Sequence, residues 1–142
     1  MSLSIIIPIY NEVRQLNYTI KKLLTLKKKI QNYKLIFIDD LSNNGSYKKL
    51  IKLKKKNSKI KIYKNVKKGL GSAIKLGIEK SKKKYVCLFM CDLSDDVSDI
   101  VKYYNTMINN QSLDAVFGTR FAKKSKVKNY PYFKLIINRI AN

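Results

Sequence analysis

Tyr85-Val86-Cys87-Leu88-Phe89-Met90-Cys91-Asp92-Leu93-Ser94-Asp95-Asp96 is the stretch on which the fold turns. Its first five residues are apolar or aromatic without alternation, the pattern of a strand buried on both faces in a parallel sheet. The run then breaks into three carboxylates within five positions, Asp92, Asp95 and Asp96. Carboxylates at the carboxyl end of a buried parallel strand stand where open α/β sheets bind their ligands. Nine acids face 31 Lys plus Arg in this chain, so the cluster is a poor fit to surface decoration. Ser94 or Asp95 is expected to cap the helix that follows, but a cap uses one such residue. The cluster reads as a metal–phosphate site.

Upstream, Ser4–Ile9 is a short apolar strand with Pro8 near its end, where a ladder donor can be spared. Tyr10-Asn11-Glu12 turns the chain, and Val13, Leu16, Ile20, Leu23 and Leu24 recur at helical spacing. Leu35–Ile38 is a second buried strand ending in Asp39-Asp40, followed by a helix that turns Tyr47, Leu50 and Ile51 inward. Ile60, Ile62 and Tyr63 mark a third strand. Lys67-Lys68-Gly69-Leu70-Gly71-Ser72-Ala73 is a glycine-bearing loop opening a helix with Ala73, Ile74, Gly77 and Ile78 inward. Beyond the acidic loop come a helix through Ile100, Val101, Tyr104 and Met107, a fifth strand over Leu113–Gly118, and a last helix from Pro131. Strands alternating with helices predict an α/β domain over residues 1–142, with a mostly parallel sheet, right-handed crossovers and helices on both faces.

The chain has 142 residues and 45% hydrophobic content, which excludes wholesale disorder, and no apolar run reaches the roughly 20 residues of a membrane span. Cys87 and Cys91 are expected to be reduced core residues of a cytosolic protein, and with no His there is no zinc site. A net charge of +22 suits an anionic partner, nucleic acid or an acidic membrane surface. The competing reading is compositional: Lys, Ile, Asn and Tyr are abundant, and Arg occurs only at positions 14, 120 and 139. No nucleic-acid recognition motif is present, so no specific nucleic-acid partner is expected.

Tyr10-Asn11-Glu12, Asp39-Asp40, Asp92 and Gly118-Thr119-Arg120 all follow strands. In a parallel sheet these ends share one edge. A nucleotide there could give base N–H or ribose hydroxyls to carboxylates, while a divalent ion bridges phosphate and protein oxygens. The amides of Gly69-Leu70-Gly71 could face an anion at the helix start, and a tight turn explains the same glycines equally well.

Ser4–Glu12 (SIIIPIYNE), Leu35–Ser46 (LIFIDDLSNNGS), Lys68–Gly77 (KGLGSAIKLG), Tyr85–Asp99 (YVCLFMCDLSDDVSD), Ala115–Phe121 (AVFGTRF) and Tyr130–Asn142 (YPYFKLIINRIAN) occur in that order. Together they resemble family 2 glycosyltransferases of GT-A fold, in the dolichol-phosphate mannosyltransferase and polyprenyl-phosphate glycosyltransferase branch. The resemblance implies a nucleotide pocket lined by Pro8, Tyr10 and Glu12, with Asp39 on the base and Asp40 supporting it. Lys68, Gly69 and Gly71 would pass close to the nucleotide sugar. Asp92 would be the second acid of a metal-binding Asp-x-Asp motif for Mg²⁺ or Mn²⁺, with Asp95 and Asp96 as helpers. Arg120 would meet the donor or acceptor phosphate, near the basic residues of Lys123–Lys128. Asp92 and Arg120 are thus the implied catalytic pair.

Three departures stand out. Met90 occupies the first Asp-x-Asp position, and a thioether is a poor ligand for a hard cation. Leu41 stands where the family's Asp-Asp-Gly-Ser has glycine. The chain also stops at Asn142, and so resembles an N-terminal portion that is incomplete on its C-terminal side.

The implied reaction is inverting transfer of mannose or glucose from a GDP- or UDP-hexose to a polyprenyl monophosphate. That nucleophile is already ionised and needs no general base. The implied location is cytoplasmic, with peripheral contact at the cytoplasmic face of an anionic membrane. The alternatives are transfer to a glycan hydroxyl, which needs a carboxylate base not found beyond Asp114, and a non-catalytic nucleotide-sugar binder.

Overall fold

The computed structural model describes residues 2–119 and 131–140. Arg120, the Lys123–Lys128 loop and Tyr130 lie outside the described residues. The strands are β1 (Leu3–Ile9), β2 (Tyr33–Asp39), β3 (Ile60–Lys64) and β4 (Tyr85–Leu88), and the helices are α1 (Leu16–Leu24), α2 (Ser46–Lys55), α3 (Leu70–Lys80), α4 (Val97–Asn109) and α5 (Tyr132–Ile140). A 3₁₀ turn, Thr25–Lys28, extends α1. The chain forms two compact units, Met1–Asn105 and Thr106–Asn142.

All four strands are parallel, in the order β3-β2-β1-β4. β1 and β2 lie at the centre, and every residue of β1 is buried, as a run of LSIIIPI without alternation requires. Pro8 sits in this central strand without cost. The β1–β4 ladder ends at Ile6↔Leu88, with Phe89 N–H donating to Ile6 O at 3.0 Å, so nothing on that side needs a donor from Pro8.

The chain steps from β1 to β2 to β3 in one direction, then returns past β1 to β4. Right-handed crossovers therefore put α1 and α2 on one face and α3 on the other. On the first face Tyr33 Oη donates to Leu24 O at the end of α1, Lys64 reaches the ring of Tyr47 on α2, and Tyr85 meets Tyr104 of α4 edge to face. On the second face Ala73 packs with Ile6, Ile36 and Ile38, flanked by Tyr63 and Leu76. Helices on both faces of a parallel sheet match the sequence reading.

Three details differ from it. Among the described residues β4 is an edge strand, and Val86 and Leu88 are each 45% exposed. They share a face with Ser4 and Ile6, where α3 is the covering helix and lies over β1 and β2. Ile78, expected to point inward, is largely exposed on α3 for the same reason. Residues 113–119 form no strand, and Phe117 is 90% exposed. An apolar segment becomes a strand only when a neighbour completes its ladder, and this one has no such partner among the described residues. Among them, too, no helix is long and apolar enough to cross a membrane.

α3 approaches β1 so closely that a Cβ on Gly77 would stand 2.4 Å from Ile6 Cγ2. Ile6 is β-branched and fully enclosed, so it has nowhere to retreat. Gly77→Ala gains about 1 kcal/mol of helix propensity but meets an overpacking cost of about 1–3 kcal/mol. Net destabilisation is expected, read as a lower urea midpoint. A midpoint at or above that of the native chain would show that α3 can lift off β1 freely.

Candidate functional site

In an open α/β sheet the crevice for a ligand forms at the carboxyl ends of strands whose connections leave in opposite directions. Here that point lies between β1, which connects toward β2, and β4 on its other side. Tyr10-Asn11-Glu12, Asp39-Asp40, Asn65 and Met90-Cys91-Asp92 all follow strands at this edge. Three of these turns pass through left-handed backbone at a non-glycine residue: Asn11 (φ 59°), Leu41 (φ 60°) and Leu93 (φ 59°). Leu41, which replaces the glycine of the expected pattern, adopts the backbone that glycine favours, and strain of this kind gathers at functional sites.

Asp40 is buried and built into the scaffold. Both its carboxylate oxygens accept the Gly69 N–H at 2.9 Å, and Oδ1 also lies 2.7 Å from Asn65 Nδ2. Asn65 Nδ2 further reaches Lys67 O at 2.6 Å and Ser72 Oγ at 2.7 Å, and the Ser72 hydroxyl donates to Lys67 O. Gly69 precedes α3 with φ 138°, a backbone open to glycine. Its amide was a candidate to face an external anion. It faces Asp40 instead, so the chain's own carboxylate occupies the positive end of the helix. Asn65 was not singled out from sequence. Its signal was there: a polar residue directly after the apolar strand β3, as Asp39-Asp40 and Asp92 close their own strands.

Asp39 is fully buried beside it, with alternation turning it to the opposite face of the sheet. Its Oδ2 accepts the Ser42 N–H at 3.3 Å, whereas Oδ1 is buried with no hydrogen-bond partner among the described residues. An orphaned carboxylate oxygen costs about 1–3 kcal/mol and is a position for a ligand donor. The turns around it are braced against each other. Asn11 N–H donates to Ser42 Oγ, Asn43 N–H to Asn11 Oδ1, and Asn44 Nδ2 to Asn11 O.

Tyr10 stands half exposed at the same edge. Lys68 Nζ lies 4.3 Å from its ring centroid and donates to its hydroxyl at 2.8 Å. That hydrogen bond, with the Coulomb attraction of Tyr10, raises the pKa of Lys68. Glu12, partly buried, accepts the Gln15 and Leu16 amides through its backbone carbonyl and so starts α1. Pro8 is buried inside β1, below this rim. Gly71 lies exposed in the first turn of α3.

The acidic loop divides its tasks. Asp96 precedes α4 and caps it, taking the Ser98 N–H on Oδ1 at 2.7 Å, and this bond lowers its pKa. The cap was expected at Ser94 or Asp95. Asp92 is exposed and accepts the Ser94 N–H on Oδ1 at 2.9 Å. Asp95 is partly buried and engaged in interactions of its own. Among the described residues no three His, Cys, Asp or Glu side chains gather closely enough to hold a metal ion between them. The donor set does fit a hard cation bound mainly through ligand phosphates, because Mg²⁺ commonly takes one or two carboxylates and fills its octahedron with phosphate and water. Cys91 is buried behind this loop, and Thr19 Oγ donates to its carbonyl at 2.6 Å. Burial first, and the charge of Glu12 next, push the Cys91 thiol up to about 12, while burial takes Cys87 to about 11.

A parallel sheet with helices on both faces and polar strand-end turns along one edge is the architecture of an α/β domain of GT-A type. Residues 4–141 match the Glycosyl transferase family 2 profile, and the chain belongs to that family. It is 27% identical over 139 residues to the dolichol-phosphate mannosyltransferase of Pyrococcus furiosus, covering 98% of this chain and 39% of that protein. It also resembles an uncharacterized glycosyltransferase of Rickettsia bellii, 36% identical over 90 residues, which are 63% of this chain and 12% of that protein. Among solved structures, the mannosyltransferase PcManGT of Pyrobaculum calidifontis in complex with GDP-Man and Mn²⁺ superposes with a TM-score of 0.66 at 12% identity, over 74% of this chain and 32% of that one. S. aureus TarS 1-349 in complex with UDP-GlcNAc gives 0.57 at 18% identity, over 78% and 32%. At such identities the structural likeness defines the fold. The chain spans less than two thirds of the length of each of these proteins.

Asp40→Ala removes the acceptor of two donors at once, the buried Asn65 amide and the part-buried Gly69 N–H. A loss of about 2–4 kcal/mol of folding stability is expected, measured by urea unfolding. A loss below about 1 kcal/mol would mean that the Asp40 carboxylate is not what joins β2, β3 and α3.

Proposed function

We propose that this chain is the nucleotide-sugar-binding part of a glycosyltransferase that moves a hexose, mannose or glucose, from GDP- or UDP-sugar to a polyprenyl monophosphate. The observation that carries the reading is Asp39 Oδ1, a buried carboxylate oxygen at the carboxyl edge of the sheet with no partner among the described residues. A base N–H or ribose hydroxyl would complete it. Family membership and the P. furiosus relative support the reaction class, and the Pyrobaculum structure supports a GDP-sugar as donor. The TarS complex keeps a UDP-sugar open.

In this reading Tyr10 offers a ring face to the nucleotide beside Pro8 and Glu12. Lys68 leaves that ring to meet ligand phosphate, and Gly69 and Gly71 let the backbone run close to the sugar. An acceptor phosphate oxygen attacks the anomeric carbon while the bond from that carbon to the diphosphate oxygen breaks. The configuration inverts and nucleoside diphosphate departs. A divalent cation, Mg²⁺ or Mn²⁺, would be held by Asp92 with Asp95 and Asp96 at hand, and would offset the charge on the departing diphosphate. Arg120 supplies further positive charge to the phosphates. The chain's own task is positioning and charge stabilisation, since an ionised phosphate needs no general base. A polyprenyl acceptor places the protein against an anionic membrane, at its cytoplasmic face.

A second reading, nucleotide-sugar binding without transfer, is favoured by Met90 in the first acid position of the metal motif.

Asp39→Ala should weaken GDP or UDP binding by about 1–3 kcal/mol in calorimetry while leaving folding stability near the native value. Unchanged affinity in the folded variant would remove Asp39 from the nucleotide pocket.

Mn²⁺ separates the two readings. Binding followed by water proton relaxation is expected to be weak for the protein alone and enhanced when GDP or UDP is added. Asp92→Asn should abolish the enhancement, and Met90→Asp should increase it. Failure of either nucleotide to enhance Mn²⁺ binding would leave the binder without metal-assisted transfer.

A further inference from the structure

Strand-end acids gather at one edge of the sheet. The carboxyl-edge turns carry Glu12, Asp40, Asp92, Asp95 and Asp96, together with Arg14, Lys67 and Lys68. The three amino-edge connections, residues 25–32, 56–59 and 81–84, contain no acid and bring Lys27–Lys29, Lys56 with Lys59, and Lys82–Lys84. The geometry follows from the fold. Each of these connections follows a helix C-terminus, where a cation complements the dipole, and in a parallel βα sheet those termini share one edge.

Hydrogen bonds knit the edge through neutral acceptors. Lys34 Nζ donates to Ser58 O at 2.9 Å, Lys59 Nζ to Gln31 O at 3.0 Å, and Lys83 Nζ to Asn32 Oδ1 at 2.9 Å. Between the first two connections lies a cleft of about 260 Å³. Leu24 and Tyr33 line it with Lys27, Lys56 and Lys59, and Asn57 and Ser58 complete the wall. Lys59 is steadied at 4.2 Å from the Tyr33 ring centroid. The carbonyls of Gln31 and Ser58 would repel an anion, but each already carries a lysine ammonium. Three cations, no acid and a tyrosine at a concave wall are complementary to a dianion.

We propose that this amino-edge cleft binds a phosphate-bearing anion, at a site separate from the nucleotide pocket. The seven residues of β2 set the two sites about 20 Å apart. Lysines, as mobile point charges, recognise phosphate charge rather than a planar group, so a free phosphate compound and a lipid headgroup are the two sources. The inference does not rest on the transfer reaction proposed above.

Inorganic pyrophosphate is the probe for the free source, followed by amide chemical shifts of the intact chain at low salt. Saturable shifts are expected at Lys27 and Asn57–Lys59, persisting when GDP fills the other edge. Lys27→Glu combined with Lys56→Glu, both exposed and so compatible with folding, should weaken the interaction about tenfold or more. Lys48→Glu combined with Lys75→Glu, exposed on α2 and α3 and outside the cleft, changes the net charge by the same amount and is the control. Vesicles of phosphatidylcholine with phosphatidylglycerol test the lipid source. Loss of vesicle binding in the cleft variant but not in the control assigns a headgroup, and vesicle binding equal in both variants assigns the free anion. Shifts that stay linear and spread over all lysines, or that cleft and control variants reduce equally, would overturn the cleft.

Discussion

The carboxylate of Asp40 is the joint on which the carboxyl edge depends. It leaves the end of β2, accepts the amide of Gly69 just before α3 and holds Asn65 after the end of β3, so two strands and a helix meet at one charged group. That joint sets where α3 begins, and with it the contact of Ala73 and Gly77 on β1. It also sets the position of Lys68 over Tyr10. The preceding residue has the same side chain and a different fate. Alternation in β2 turns Asp39 to the other face, where one of its oxygens finds Ser42 and the other finds no donor among the described residues. An adjacent pair of identical residues thus yields one structural carboxylate and one open to a ligand.

The connectivity explains the uneven cover of the sheet. α1, α2 and α4 share one face and α3 lies on the other, so the residues of β4 that point toward the α3 side stay half exposed. It explains the distribution of charge as well. Acids that end strands and lysines that end helices fall on opposite edges because every strand runs the same way.

Much of this was legible in the sequence. β1 and β2 announce themselves by unbroken apolar runs, α1 by its spacing, and the site by the polar residues that close each strand. The limits were physical. The run Tyr85–Phe89 is as apolar as a central strand, but how far its faces are covered is decided by where α3 lies, which those residues do not encode. Leu113–Gly118 has strand composition and lacks a ladder partner among the described residues. The destination of the Gly69 amide depended on Asp40, distant in sequence, and three acids in one loop resolved into a cap at Asp96, a turn at Asp92 and a further group at Asp95. Asp39 and Tyr10 stand at strand ends on the same edge, and Lys68 reaches it from the turn before α3. Arg120 lies outside the described residues.

The two thiols behind the acidic loop bear on how the molecule can be handled. Burial holds the Cys91 thiol well above its ordinary pKa, so little of it is ionised at pH 7, and it is the thiolate that reacts. Alkylating reagents and mild oxidants therefore find almost no nucleophile while Thr19 and the loop stay closed over it. Modification of Cys91 thus reports local opening around Thr19 and the acidic loop, at the carboxyl edge of the sheet.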